Sequence, residues 1–284
     1  MFKRQTTGSV VCVSCGYLVG VNDERCYHCG RRNPGLWGFA PAIRRLGHDA
    51  GFVPFVTAFC IVMYGISLLL SGPNITTMGG ALDFLVPYQP VLAVLGSSGY
   101  VPVLGYGRWW TIFSASWLHG GALHILFNMM WVRQLAPDVA EIYGPGRMII
   151  IYSVAGATGF LLTSVVGVFL SFLPFLQPAP WTVGASAAIF GLLGALVHYG
   201  RRSGSRVIHS QALYYAVVLF VFGFVMRGVD NYAHAGGFLG GYLASRVLDP
   251  LKPERINHLV IALGCLAVSI LSIVASVVFA FLGR

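Results

Sequence analysis

The chain has 284 residues, of which 56% are apolar and only 10% charged, with a mean hydropathy of +0.75. Charged residues make up about a quarter of an ordinary globular sequence, so this composition excludes a water-soluble domain and places most of the chain in lipid. The surplus of 18 Lys and Arg over 9 Asp and Glu argues for basic cytoplasmic flanks and against nucleic acid, because a single basic cluster lies outside the apolar segments.

The first fifty or so residues are polar and rich in Gly and Arg. They lack the apolar core of a cleavable signal peptide and are expected to stay on the side where they are made. Cys12-Val-Ser-Cys15-Gly16 and Cys26-Tyr-His-Cys29-Gly30 are two CxxCG turns ten residues apart. Two thiolates at this spacing form half of a tetrahedral zinc site, and two such turns complete it. A reducing cytoplasm argues against disulfides. One structural zinc on Cys12, Cys15, Cys26 and Cys29 is therefore predicted, supplying most of the folding free energy of so small a segment. His28 is a bystander, since four sulfurs fill the shell, and Cys60 and Cys265 lie in apolar spans as core residues. A cytoplasmic protein is the partner to expect for this segment.

Apolar segments follow at about Phe52-Leu70, Leu123-Tyr143, Met148-Leu170, Gly184-Gly200, Ala212-Met226, Tyr232-Leu248 and His258-Leu282. Roughly 20 residues cross a bilayer as a helix, so these predict seven spans, the shorter ones shielded inside a bundle. The stretch Ser71-Leu118, interrupted by Pro73, Pro87, Pro90 and Pro102, predicts a loop lying in the membrane interface, with Trp109, Trp110 and Trp117 as its anchors. Ser171-Val183 predicts a second outer loop. With the N-terminus inside, 15 of the 18 basic residues fall on inner flanks and only Arg108, Arg227 and Arg284 outside. This is the asymmetry of an N-in, C-out protein. Arg133 lies within a span and counts as inner only by snorkelling. The fold class is an all-α polytopic membrane protein, divided into a zinc-ribbon-like segment (1–35), a linker (36–51), a six-helix core (52–250) and a further C-terminal helix (251–284).

Polar groups inside spans are costly and point to function. Three sets occur: His119, His124 and Asn128; Gly184-Ala-Ser186-Ala with Phe190; and His234 in Ala233-His-Ala-Gly-Gly237. Their depths match. Asn128 lies 15 residues before Tyr143 and Ser186 15 before Arg201, each roughly 22 Å above the inner boundary. His234 lies 12 residues before Arg246, about 18 Å above it. His234, Gly237 and Gly241 on one helix and Ala187, Gly191 and Gly194 on another form stripes of small residues, which let membrane helices approach closely. Taken singly, such a serine is ordinary packing and such a histidine an interhelical hydrogen bond. Together, a hydroxyl beside an imidazole supplies a nucleophile and its base, and His124, Asn128 and the Ser186 N–H supply donors for an oxyanion. Asp230, one turn before His234, reads as a boundary charge, leaving a dyad. The remaining histidines need no role.

His119-x4-His124-x3-Asn128, Gly184-Ala-Ser186-Ala with Phe190, and Ala233-His234-Ala-Gly-Gly237 with Gly241 resemble the motifs of the rhomboid intramembrane serine proteases, over about Trp109 to Leu248. The resemblance implies a six-helix core, Ser186 as nucleophile, His234 as base, His124 and Asn128 in the oxyanion hole, Phe190 stacked on the catalytic histidine, and a structural part for His119. It implies no cofactor for the chemistry. Two departures stand out. Ala187 replaces the usual glycine and is expected to widen a helix contact, and Trp110-Thr111 lacks the arginine that braces the outer loop. The implied function is cleavage of transmembrane segments of other proteins near the outer face of a plasma membrane, prokaryotic by its short loops. The alternative is an inactive relative that binds membrane clients. A transporter would be expected to show internal repeats, and none is visible.

Overall fold

The computed structural model describes residues 4–44, 47–76, 84–170, 178–226 and 228–282. Lys3, Arg45, Arg227 and Arg284 of the charge count, and residues 77–83 and 171–177 of the two outer loops, lie outside the described residues.

The N-terminal segment is a hairpin of β1 (Ser9–Val11) and β2 (Leu18–Gly20), antiparallel with Val10 opposite Val19. The first CxxCG turn is its loop. There the Cys12 N–H donates to the Tyr17 carbonyl and the Gly16 N–H to that of Cys12; the second turn repeats this, Cys26 N–H to Arg31 and Gly30 N–H to Cys26. Gly16 and Gly30 hold φ of 78° and 71°, the left-handed region that closes each turn without a Cβ penalty. Beneath the turns the core is only Val10, Val19 and Val21 with Cys12 and Cys26.

A short α1 (Ala40–Arg44) leads to the membrane helices. Among the described residues seven helices are long: α2 (Phe52–Ser71), then, after two short pieces α3 (Gln89–Leu95) and α4 (Thr111–Ser114), α5 (Ala122–Tyr143), α6 (Pro145–Leu170), α7 (Ser186–Ser203), α8 (Arg206–Val225), α9 (Asn231–Val247) and α10 (Ile256–Phe281). They match the seven predicted spans within a few residues, except that α8 begins six residues before Ala212. Its start is fixed by chain chemistry: Gly204 turns left-handed at φ 76° and the Ser205 hydroxyl caps the helix by accepting from Ile208 N–H.

Four of these helices, α2, α6, α8 and α10, are long and apolar enough to cross a bilayer by composition alone. The other three carry the polar residues and survive in lipid because neighbours cover them. α7 sits in the centre against α5, α6, α8 and α9, with every residue from Ala187 to Val197 buried. α10 lies outside the bundle against α6, α3 and α4.

The first outer segment is more structured than a loop in the interface. It contains α3, a π turn over Val101–Gly105 and α4, and Trp117 is buried against Phe55 and Phe59 of α2. Thr182 and Ser98 exchange two backbone hydrogen bonds of 3.0 and 2.7 Å, and the Gly184 N–H donates to the Ala115 carbonyl at 3.0 Å. The segment thereby holds the chain just before α7 in an extended path. Close to position 111, Arg108 is buried, donates to the Ser276 carbonyl and lies 5.3 Å from the Phe279 ring, while Trp110 Nε1 donates to Ser276 Oγ at 3.0 Å. The seventh long helix therefore braces this segment.

Candidate active site

Gly184 precedes Ser186 with φ of +127°, a conformation that L side chains rarely adopt, and Ser186 is the first residue of α7. Its N–H falls in the first turn, where a helix leaves amides without intrahelical acceptors. Asp230 caps α9, its Oδ1 accepting from Ala233 N–H at 3.0 Å, and this places His234 on the first turn facing α7. The two side chains meet at 2.9 Å between His234 Nε2 and Ser186 Oγ.

The contact follows from the small-residue stripes. A Cβ on Gly237 would lie 2.0 Å from the Ala187 carbonyl oxygen, one on Gly241 2.2 Å from that of Gly191, and one on Gly194 2.3 Å from that of Phe238. Backbones this close leave a serine and a histidine within hydrogen-bond reach. Ala187 does not push α7 and α9 apart. Its methyl turns toward α6, where a Cβ on Gly159 would meet it at 2.6 Å, so a glycine on a third helix takes up the methyl that the departure adds. This corrects the expected widening. A second stripe, Gly236 and Gly240, lets α9 close on Thr158 of α6; it was legible as a repeat of glycines but not assignable to a partner helix.

Phe190 stacks on the His234 ring, with centroids 4.2 Å apart and planes at 16°. His234 is 5% exposed and its Nδ1 has no hydrogen-bond partner among the described residues. With the proton on Nδ1, Nε2 is free to accept from the hydroxyl. Asp230 is engaged at the helix cap and makes no hydrogen bond to this ring.

On α5, the Gly120 N–H donates to His124 Nδ1 at 3.3 Å, which leaves the proton on Nε2. Asn128 Nδ2 donates one hydrogen to the His124 carbonyl at 2.8 Å and keeps another. Both groups face Gly184: a Cβ there would stand 2.6 Å from His124 Nε2 and 3.8 Å from Asn128 Nδ2. The space that glycine leaves is thus bordered by two N–H donors, beside the serine. Gly120, which fixes the His124 tautomer, escaped sequence reasoning; it is recognisable only as part of the Gly-Gly pair between the two histidines. His119 is fully buried, 5.3 Å from the His124 ring, and reaches neither Ser186 nor His234.

The four N-terminal thiols also converge. Their sulfurs lie within 4.8 Å of one another, with Cys12 to Cys29 at 3.8 Å and Cys15 to Cys26 at 3.6 Å. Tetrahedral zinc at about 2.3 Å from each sulfur sets sulfurs about 3.8 Å apart, so the cluster fits the ion and could hold it. His28 stacks on Tyr17 at 3.6 Å instead. The Cys15 thiol is pushed up to about 12 by burial and the neighbouring thiols. At Cys26 burial acts the same way, but backbone N–H groups of Cys29 and His28 outweigh it and hold the thiol at about 7.

Fold and site together define a helical multi-pass membrane protein with a serine-histidine pair set at the start of two buried helices. Residues 106–250, just over half of the chain, match the family model described as Rhomboid domain; the chain belongs to the rhomboid family. Similar proteins include the Rhomboid protease GluP of Bacillus subtilis (strain 168), 33% identical over 149 residues that cover 51% of this chain and 27% of that protein. RHOMBOID-like protein 7 of Arabidopsis thaliana is 31% identical over 58% of this chain and 50% of its own length. Rhomboid-like protease 3 of Toxoplasma gondii is 29% identical, over 66% of each. The chain spans about a quarter to two thirds of these relatives.

Proposed function

We propose that the protein is an intramembrane serine endopeptidase that cleaves transmembrane segments of other membrane proteins near the outer face, with Ser186 and His234 as a catalytic dyad. The observation that carries this reading is the 2.9 Å contact of His234 Nε2 with Ser186 Oγ, between helices whose contacts at Gly237, Gly241 and Gly194 leave no room for a Cβ. The hydroxyl proton passes to Nε2 as Oγ attacks the scissile carbonyl. The resulting oxyanion takes hydrogen bonds from His124 Nε2, Asn128 Nδ2 and the Ser186 N–H. His234 then gives its proton to the departing amine nitrogen, and a water hydrolyses the acyl-enzyme by the same base. His119 and Phe190 position these groups.

An intact substrate helix hides its carbonyls, so substrate spans with helix-weakening residues are the expected clients. Along the chain the zinc segment (1–35) and linker (36–51) precede the core (52–250) and the final helix (251–284), with the zinc segment on the cytoplasmic side of a plasma membrane. Labelling of the purified protein by a fluorophosphonate tests the reading. Reaction at Ser186 supports it, and a Ser186 that resists the reagent in folded protein leaves the inactive client-binding relative.

A further inference from the structure

At the end of α9 remote from His234, the turn into α10 borders an open cavity of about 200 Å³ lined by Arg147, Asp249, Lys252, Arg255 and His258, with Val247 and Leu248 on its wall. Three permanent cations face one carboxylate. Among the described residues the ion pair here is Lys252 with Asp249, at 3.6 Å, which leaves Arg147 and Arg255 with no carboxylate in ion-pair range. The other nearby acid, Glu254, is buried beneath the turn, where its Oε1 accepts the Arg147 N–H at 2.9 Å. The His258 Nδ1 accepts from the Arg255 N–H at 3.1 Å, so its Nε2 carries the proton.

The floor of this cavity is preorganised. Arg147, 4% exposed, donates to the carbonyls of Tyr143, Leu248 and Asp249, a staple that ties the α5–α6 turn to the end of α9. From the polar side the zinc segment closes in, with Ser14 Oγ and Arg31 Nη1 both donating to the Glu254 carbonyl. Apolar surface adjoins it: Val247, on the wall, is 84% exposed, and Leu251, in the same turn, 57%. The Leu251 N–H first, and then Lys252 and Arg202, hold the Asp249 carboxyl below its usual range.

We propose that this cavity binds the phosphate of an anionic phospholipid. A basic floor beside an exposed apolar rim at the end of the spans matches the two halves of such a molecule, headgroup on Lys252, Arg255 and His258 and acyl chains along Val247 and Leu251. Basic pockets between helices on this side of a membrane are suited to anionic headgroups. The inference is independent of the protease reading and rests on the membrane placement with the N-terminal segment inside.

The test uses the full chain in neutral detergent with equal amounts of phosphatidylglycerol and phosphatidylcholine, the retained lipid being read by native mass spectrometry. The wild type is expected to retain phosphatidylglycerol preferentially, and Lys252→Gln with Arg255→Gln to lose about threefold or more of that preference, as local charge loss should. Both side chains are exposed, so lipid-free thermal unfolding should be unchanged, and Lys252→Arg should bind as wild type does. Arg206→Gln, outside the cavity, should keep the preference. An unchanged preference in the double variant, or an equal loss in Arg206→Gln, overturns the site. Stabilisation by glycerol 3-phosphate equal to that by the lipid overturns the lipid assignment.

Discussion

Phe190 and His234 lie face to face, 4.2 Å apart and within 16° of parallel, while the Nδ1 edge of the imidazole has no hydrogen-bond partner among the described residues. On the proposed function, the aromatic plane of the neighbouring helix takes over the orienting part that a carboxylate could play. Phe190→Ala should therefore slow fluorophosphonate labelling. A stacked pair is worth about 0.5–1.5 kcal/mol, or roughly two- to tenfold if all of it positions the ring. Phe190→Tyr keeps the plane and should label at close to the wild-type rate; equal rates for all three proteins would show that the stack has no positioning role.

The site residues differ in how replaceable they are. Ser186→Ala and His234→Ala should each reduce cleavage of a model membrane substrate to background. Asn128→Ala and His124→Ala each remove one of several donors, at about 2.7–4 kcal/mol or roughly 100- to 1,000-fold in rate, leaving measurable turnover. Initial rates on folded variants decide this, and full activity in Ser186→Ala would end the proposal.

Asp230 separates capping from catalysis. Asn caps a helix about as well as Asp, so Asp230→Asn should change neither stability nor rate by much. Asp230→Ala loses the hydrogen bond to Ala233 N–H and should cost about 0.5–2 kcal/mol of stability. In a triad the orienting acid would be worth on the order of 10,000-fold in rate, so a collapse of turnover in folded Asp230→Asn is the outcome that contradicts a dyad.

Gly159 makes the departure at position 187 tolerable. A methyl added there would meet the Ala233 carbonyl oxygen at 2.5 Å and the Ala187 methyl at 2.6 Å, so Gly159→Ala should destabilise by about 1–3 kcal/mol. Ala187→Gly should recover part of that loss in the double variant, because one of the two clashes disappears. A double-mutant cycle on thermal unfolding measures the coupling, and strict additivity would show that the two positions do not share the space.

Zinc affinity should rise with pH, since the metal binds thiolates and displaces their protons. Cys26, at about 7, is protonated at pH 6 and largely ionised at pH 8, whereas Cys15, at about 12, gives up its proton in both. Calorimetry in buffers of different ionisation enthalpy should find more protons released at pH 6 than at pH 8. The same count at both would show that Cys26 is not ionising in this range. Because the cluster lies at the far end of α9 from His234, Cys→Ser changes should affect metal content and stability before they affect labelling at Ser186.

The membrane class was legible in composition, the seven long helices in runs of apolar residues, and the thiol cluster in two short turns, because each of these depends on residues near one another in the chain. The depths of Ser186 and His234 could also be counted, since rise per residue is constant in a helix. What composition and spacing do not carry is which helix a stripe faces. The small residues of α7 and α9 were visible, yet only the tertiary structure showed that Gly159 of α6 receives the Ala187 methyl and that Gly236 and Gly240 close on Thr158. The same holds for Arg108 on Phe279 and for Arg147 on the end of α9. The partners in both pairs are a hundred or more residues apart, and a buried guanidinium is indistinguishable in sequence from an exposed one on a basic flank. Local propensity and periodicity specify elements. Long-range packing and the need to satisfy buried polar groups specify how the elements meet.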